Sequence, residues 1–283
     1  MAANLGVFVP ELVSASIDRT MEAKLVGKQI ARRKPKLKGN EGPGDIIHFP
    51  TLADPTTNTT YSGTMSYETL QGSEVSLLLD KVYNQGFSIA DIDEYMANVN
   101  VRDSQNQRCA YKMAEAIDTA ILGLYSSGNL SITADTTCDS STIISDMAEV
   151  AVQIANVNAG RGFIVIPPWV EMKLRLAGVR FSIKEGSGAG DGLKWTDELD
   201  LDCYVTTQVV NTGTAAAPVS QCMFGSYDAI CFHDLFTKSY VKEDKDAPEM
   251  AYISHFKYFG YKVVRPDLLG VAALTYAAES STI

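Results

Sequence analysis

The stretch Val101 to Ser126 (VRDSQNQRCAYKMAEAIDTAILGLYS) has the clearest periodicity in the chain. Its apolar residues recur at steps of three and four, which places them on one stripe of an α-helix. The stripe consists of Cys109, Ala110, Met113, Ala114, Ile117, Ala120, Ile121 and Leu124, while Arg108, Lys112, Glu115, Asp118 and Thr119 fall mostly off it. Good helix formers fill the run, and a rise of 1.5 Å per residue makes the predicted helix about 35 Å long. Such a helix can span a domain.

The length and composition of the chain are those of a soluble globular protein. It has 283 residues, of which 46% are hydrophobic and 20% charged, and this length fits one large domain or two. No run of about 20 apolar residues occurs, so we expect no membrane span. The N-terminal sequence also lacks the basic and continuously apolar regions of a signal peptide.

The five cysteines are odd in number and widely spaced, and no CxxC pair occurs among them. This pattern favours buried, small apolar side chains in a reducing compartment over a disulfide framework or a zinc site.

Charge is unevenly distributed along the chain. Residues 18–38 hold eight basic and two acidic residues, a net charge of +6. Because the whole chain has a net charge of −10, the other residues together carry −16. A basic arm on an acidic body suits a self-associating protein whose arm lies on a neighbour. Nucleic-acid binding and a solvated charged helix face are the alternatives, although the aromatic stacking residues of a nucleic-acid platform are absent from this segment.

The N-terminal arm is predicted to be helical and to end at a hinge. Val13, Ile17, Met21 and Leu25 form a narrow apolar stripe that continues to about Arg33, and Lys34-Pro35 ends it. The Gly-rich sequence of residues 39–44 then forms a strong break.

A long hairpin follows the hinge. Residues 45–50 begin a strand, residues 51–72 are rich in Thr, Ser, Asn and Tyr, and Glu74 to Ile89 form a second β-like run. An isolated two-stranded hairpin is only marginally stable in water. The hairpin therefore either folds back on its own body or projects and is completed by a neighbouring subunit.

The second half of the chain is predicted to be α/β. Residues 141–156 form an amphipathic helix, residues 163–166 a strand buried on both faces, and residues 169–176 a short helix. The helix face is expected to hold Ile144, Met147, Ala148, Ala151, Ile154 and Ala155. The aromatic run Tyr252 to Val264 predicts a long strand with a bulge at Gly260.

Motifs that carry chemistry are not found. Residues 186–192 are glycine-rich but match no phosphate-binding pattern, and Asp197, Glu198, Asp200 and Asp202 miss the EF-hand spacing. We expect a mobile surface loop and a solvated acidic face. The histidines, His48, His233 and His255, lie in separate strand-like stretches without a metal-ligand pattern. We therefore predict no catalytic residues, no cofactor-binding residues, no metal ligands and no cofactor, and expect that the chain is not an enzyme.

The order of these elements resembles the major capsid proteins of tailed bacteriophages, which have the Hong-Kong-97-type fold. The resemblance covers nearly the whole chain and depends on order and spacing. Its most specific stretches are Phe87-Ser-Ile-Ala-Asp-Ile-Asp93, Ala114-Glu-Ala-Ile-Asp118, Phe163-Ile-Val-Ile-Pro-Pro-Trp169 and Phe259-Gly-Tyr-Lys-Val-Val-Arg-Pro266.

The resemblance implies an α+β fold with four parts. Residues 1–44 are the N-arm, 45–90 the extended β-hairpin loop, 91–137 with 248–283 the peripheral domain built on the spine helix, and 138–247 the α/β axial domain. Loops of the axial domain meet at capsomer centres, so residues 186–192 are expected to line a five- or six-fold axis. Some relatives crosslink through a lysine in the extended loop; residues 51–80 contain none, so a shell without crosslinks is expected.

The implied function is a major capsid protein that self-assembles into the icosahedral head of a tailed phage. Expected partners are copies of the chain in pentamers and hexamers, a scaffolding protein, a portal, and double-stranded DNA enclosed without sequence-specific binding. The chain is expected in the virion, after synthesis in the cytoplasm of the host bacterium, and no membrane is involved. An encapsulin-type bacterial compartment shell and a soluble α/β enzyme are the alternatives.

Overall fold

The computed structural model describes residues 26–33, 43–52, 67, 69, 72–90, 101–132, 138–157, 162–179, 193–196, 201–214, 218–243 and 250–277. The helices are α1 (Gly27–Ile30), α2 (Val101–Leu122), α3 (Ile143–Asn156) and α4 (Pro168–Leu176), with 3₁₀ turns at Gly123–Ser127 and Pro266–Leu268. The strands are β1 (Arg32–Arg33), β2 (Ile46–Leu52), β3 (Gly72–Leu78), β4 (Lys81–Ala90), β5 (Leu130–Ile132), β6 (Gly162–Ile166), β7 (Leu193–Thr196), β8 (Leu201–Val205), β9 (Val219–Ser226), β10 (Ile230–Glu243), β11 (Met250–Val263) and β12 (Leu269–Thr275).

The predicted long helix is confirmed as α2, which continues into a 3₁₀ turn. Six residues of its apolar stripe are buried, and Ala120 and Leu124 are half-buried. The six are Cys109, Ala110, Met113, Ala114, Ile117 and Ile121. The stripe belongs to the same core as the inner residues of two sheets, among them Phe163 and Phe259.

The described strands form three sheets. One has the order β1-β10-β11-β4, another the order β5-β12-β9-β6-β8-β7, and β2 pairs with β3 as a separate hairpin. The two longest strands, β10 and β11, run antiparallel along their whole length. This pair is the centre of the four-stranded sheet.

The six-stranded sheet is organised around β6, all of whose residues are buried, as predicted for a strand covered on both faces. β6 pairs in parallel with β8 and antiparallel with β9. Helix α3 packs directly on it, because a Cβ on Gly162 would lie only 2.6 Å from Cδ1 of Ile154.

Helix α3 forms where it was predicted, but its predicted buried face is partly wrong. The residues buried by the fold are Ile143, Asp146, Met147, Val150 and Ile154. Ile144, Ala148 and Ala155 of the predicted face are exposed. The apolar surface of α3 is wider than the sheet can cover, so periodicity alone does not identify the covered half.

Three local predictions are corrected by strand pairing. The arm helix ends at Ile30 rather than Arg33, since Arg32 and Arg33 pair in parallel with Cys231 and Phe232 of β10; the stripe Val13 to Leu25 lies outside the described residues. Residues 128–139, whose polar sequence predicts a turn region, contain β5, which pairs with β12. The register irregularity in the long strand pair lies in β10, between Asp234 and Phe236, and not at Gly260.

The predicted hairpin is confirmed by the antiparallel pairing of β2 with β3, from Ile46↔Leu78 to Leu52↔Gly72. The second run, predicted as one stretch, is divided at Leu79-Asp80. Its second part, β4, leaves the hairpin and pairs with β11. The hairpin is therefore attached directly to the four-stranded sheet.

The boundaries of the four predicted parts stay a prediction. The described sheets cross them: β10, within 138–247, pairs with β11, within 248–283, and β12 joins the six-stranded sheet. Within the described ranges, no helix combines the length and the apolar character needed to cross a membrane.

Replacing Ile117 with Asp tests the role of the long helix. Ile117 is fully buried, and an unpaired buried carboxylate costs several kcal/mol of the free energy of unfolding, which is only about 5–15 kcal/mol for a typical domain. We expect the variant to lose its cooperative thermal transition, as measured by circular dichroism. Ala116→Asp, at the exposed neighbouring position, is the matched control and should melt like the wild type. An unchanged melting temperature for Ile117→Asp would show that the stripe is not the core.

Candidate functional site

The arm segment Val26–Arg33 is held on the long helix by a buried carboxylate. Asp118 Oδ2 accepts the backbone N–H of Val26 at 3.1 Å, and Oδ1 accepts the N–H of Gly27 at 2.9 Å. The sequence pattern placed Asp118 mostly off the apolar stripe, but its side chain is buried. The prediction was wrong because the two amides that it binds come from a segment about 90 residues away, which helical periodicity does not report.

A second buried polar contact joins the same segment to the sheet. Asp234 of β10 lies 2.8 Å from the ammonium groups of both Lys28 and Lys257, and all three side chains are nearly buried. Burial by itself raises the pKa of Asp234, but the two ammonium groups outweigh burial and hold this pKa below its ordinary value. The segment is thus fixed to both the helix and the long strand pair.

The base of the hairpin is closed against the same strand pair. Gly44 N–H donates to the Leu79 carbonyl, Leu79 N–H donates to that of Asp45, and the Lys262 ammonium donates to that of Ser76 at 2.8 Å. A small apolar cluster lies beneath, composed of Ile47, Leu77, Leu79 and Cys231 with Phe49, Leu235 and Val264. Gly260 of β11 fits closely here, as a Cβ would lie 2.7 Å from Cδ2 of Leu79.

The opposite face of the hairpin is open. Ile46 and Leu78 are register partners across the two strands, and both are about half exposed, whereas the adjacent pair Ile47 and Leu77 is buried. Farther along, Tyr67 is 88% exposed. The hairpin therefore has one face packed on the body and one open face that carries the apolar pair Ile46 and Leu78.

The three histidines do not come together into a reactive group. His48 hydrogen-bonds Glu74 on the exposed hairpin. His255 is fully buried, with Nδ1 2.9 Å from Ser239 Oγ and Nε2 3.2 Å from Asn106 Oδ1, and burial lowers its pKa. His233 is buried in β10. A neutral His255 links α2 to β10 and β11 and acts as a structural contact.

The predicted acidic face is only partly described, and its described member contradicts the prediction. Asp202 is buried and accepts the Tyr227 hydroxyl at 2.6 Å, and the Tyr204 hydroxyl lies 3.1 Å from that of Tyr227. Burial and these hydroxyl and carboxylate neighbours raise the pKa of Tyr227. Asp197, Glu198 and Asp200, like residues 186–192, lie outside the described residues.

All five cysteines are among the described residues, and they are buried without forming a disulfide, which confirms the prediction of small apolar side chains. Burial raises the pKa values of the Cys109 and Cys222 thiols, so these thiols remain protonated. In the described part of the chain, no three His, Cys, Asp or Glu side chains are grouped as metal ligands would be.

An open groove of about 580 Å³ runs between the outer side of α2 and strand β4. Its lining is polar and cationic: Gln85, Ser104, Gln105, Gln107, Arg108, Cys109, Tyr111 and Lys112. The Lys112 ammonium is already bonded to Glu115. The groove offers hydrogen-bonding side chains but no nucleophile paired with a base.

Replacing Gly260 with Ala tests how the hairpin is seated. The added methyl group would meet Leu79 Cδ2 at 2.7 Å and the Leu78 carbonyl oxygen at 3.0 Å, and such overpacking costs about 1–3 kcal/mol. We expect a lower free energy of unfolding in urea and faster proteolysis within residues 45–80. Gly123→Ala, whose Cβ would meet no atom within 4 Å, should be as stable as the wild type or slightly more stable. Equal stability of both variants would contradict the close packing at the hairpin base.

No protein-family model and no curated protein sequence matches this chain. Solved structures match it closely in shape. A chain of Mycobacterium phage Che8 superposes with a TM-score of 0.69 at 16% identity, covering 88% of this chain and 91% of that one. The capsid of the cyanophage P-SCSP1u gives 0.63 at 16% identity, covering 88% and 87%.

A third match is the capsid of a native gene transfer agent particle, with a TM-score of 0.59 at 12% identity, covering 89% of this chain and 91% of that one. In each case the match covers nearly nine-tenths of this chain. The fold predicted from the sequence is confirmed: this chain has the Hong-Kong-97-type α+β fold of tailed-phage capsid chains.

Proposed function

We propose that this chain is the major capsid protein of a tailed bacteriophage, and that its copies assemble into the icosahedral shell of the phage head. The observation that carries the proposal is that about nine-tenths of the chain has a fold found in phage capsids and in a gene transfer agent capsid. An encapsulin compartment is not favoured, since the similar structures named above include a phage capsid and a gene transfer agent capsid.

Exposed apolar surface supports self-association. Ile144 and Val152 on α3 and Met172 and Leu176 on α4 are 40%, 54%, 61% and 65% exposed. Two adjacent helices with several large apolar side chains in solvent are typical of a surface that a partner covers. The open face of the hairpin, with Ile46 and Leu78, is a second surface of this kind.

The proposal also covers the binding partners of the chain and its location in the virion. We propose that copies form pentamers and hexamers, that assembly involves a scaffolding protein and a portal, and that the shell encloses double-stranded DNA without reading its sequence. Outside residues 18–38 the chain carries −16, and an acidic wall repels the DNA phosphates instead of binding them. The protein would be made in the host cytoplasm and would reside in the virion, in a shell without crosslinks through the hairpin.

The proposal includes a structural role without catalysis. A turnover screen on dispersed subunits, against hydrolase and transferase substrates, tests this part. Consistent turnover that disappears on changing Tyr111, an exposed groove residue, would establish the enzyme alternative in its place.

Deleting Thr56–Thr69 tests the shell function. We expect a folded subunit that forms no closed shells, because the hairpin no longer reaches its neighbour. Circular dichroism and thermal melting measure the fold, and size exclusion with negative-stain microscopy measures assembly.

A variant in which a Gly/Ser segment of equal length replaces these residues separates the loss of specific contacts from the shortening of the hairpin. Normal particles from the deletion variant would contradict the proposed hairpin contact. Particles from infected cells that hold no nuclease-protected DNA would contradict the phage-head function.

A further inference from the structure

The contact between Asp118 and the arm is the feature that the proposed function does not use. Asp118 is 3% exposed, and its carboxylate accepts two consecutive backbone N–H groups, those of Val26 and Gly27. These amides stand at the beginning of α1, where backbone N–H groups have no partner within the helix. The carboxylate of Asp118, on α2, therefore provides the hydrogen-bond acceptors that these two N–H groups lack within α1.

The segment is seated so closely that the contact depends on its backbone. A Cβ on Gly27 would lie 2.8 Å from Cδ1 of Ile121 and 3.0 Å from Oδ1 of Asp118. Ile30, one turn later, is completely buried in the core. The segment 26–33, hereafter the arm clasp, thus closes over Asp118 and removes it from water.

No described cation neutralises the Asp118 carboxylate. Lys28 of the clasp binds Asp234 instead. Within the described residues, the carboxylate of Asp118 is bound by the Val26 and Gly27 amides and pairs with no titratable side chain. Arg32 of the clasp binds Asp228, Lys257 of β11 binds Asp234, and His255 of β11 binds Ser239 and Asn106. The other titratable side chains near α2 are Lys81, Tyr83, Lys112, Glu115 and Tyr125. A buried carboxylate with amide donors but no cation is costly when charged. Burial accordingly raises the pKa of Asp118 to about 6, because the two amide hydrogen bonds only partly offset it.

We infer that docking of the arm clasp onto the long helix is coupled to the uptake of a proton by Asp118, so that the clasp holds the arm more firmly at mildly acidic pH than at neutral pH. A neutral carboxyl keeps lone pairs on both oxygens, so both amides can still be accepted. When the clasp opens, water reaches the carboxylate and its affinity for the proton falls.

The direction follows from linkage. Asp118 has a pKa of about 6 when the clasp is closed and an ordinary value of 3.8 when it is exposed, so the closed state binds more protons between these two values. Closure is strengthened as the pH falls through 6 and weakened as it rises above 6. Between pH 7.5 and pH 5.0 the closing constant should increase about tenfold. If the proposed shell function holds, solution pH would then set how firmly each subunit holds its arm before it meets a neighbour.

Trypsin cleavage of the full-length chain measures closure, because Lys28, Arg32 and Arg33 lie within the clasp. Cleavage at these sites is compared at pH 5.0 and 7.5, each rate being divided by that of a synthetic peptide of residues 24–36 at the same pH. We expect wild-type protection to be about tenfold greater at pH 5.0. In Asp118→Asn, which cannot ionise, protection should not change with pH. Asp103→Asn, the same change at an exposed position of α2, should behave like the wild type.

Equal wild-type protection at both pH values, or an undiminished pH effect in Asp118→Asn, would overturn the inference. If Asp118→Asn does not fold, hydrogen-exchange protection factors of residues 26–30 in the wild type give the same comparison, and the same tenfold change is required. These measurements use dispersed subunits and need no shells. The pH dependence of the arm clasp and the assembly of shells are therefore tested by different experiments, and either can fail without the other.

Discussion

The buried stripe of the long helix α2 is the constraint on which the rest of the structure depends. Ala110, Met113, Ile117 and Ile121 belong to one core with the inner residues of both larger sheets. No other described helix is long enough to contribute along the whole length of this core, because the remaining helices have at most 14 residues. The same helix also carries Asp118, which binds the arm, and Asn106, which binds His255. Its outer side lines the groove against β4. The two sheets and the arm therefore share a common support.

The strand pair β10–β11 supports both the arm clasp and the base of the hairpin. Asp234, which also pairs with Lys257, binds Lys28 of the arm clasp. Gly260 and Lys262, farther along β11, contact the base of the hairpin. Both segments are therefore held by the two central strands of the four-stranded sheet.

The sequence predicted those features that local periodicity or composition determines. Helix α2, helix α3, the fully buried strand β6 and the aromatic strand β11 are confirmed, and with them the fold class. Contacts between distant segments were not predictable in this way. The burial of Asp118 depends on amides about 90 residues away, β1 exists because β10 offers a free edge, and the covered half of α3 is chosen by the sheet. Asp202 is buried because Tyr227, 25 residues later, donates a hydroxyl to it.

The most direct test of the account is electron cryo-microscopy of the purified full-length chain after assembly. The account predicts closed icosahedral particles in which the exposed face of each hairpin, with Ile46 and Leu78, lies on an adjacent subunit, while the arm clasp remains on Asp118 of its own long helix. Assembled particles whose hairpins fold back on their own bodies, or whose arm clasps have left Asp118, would contradict it.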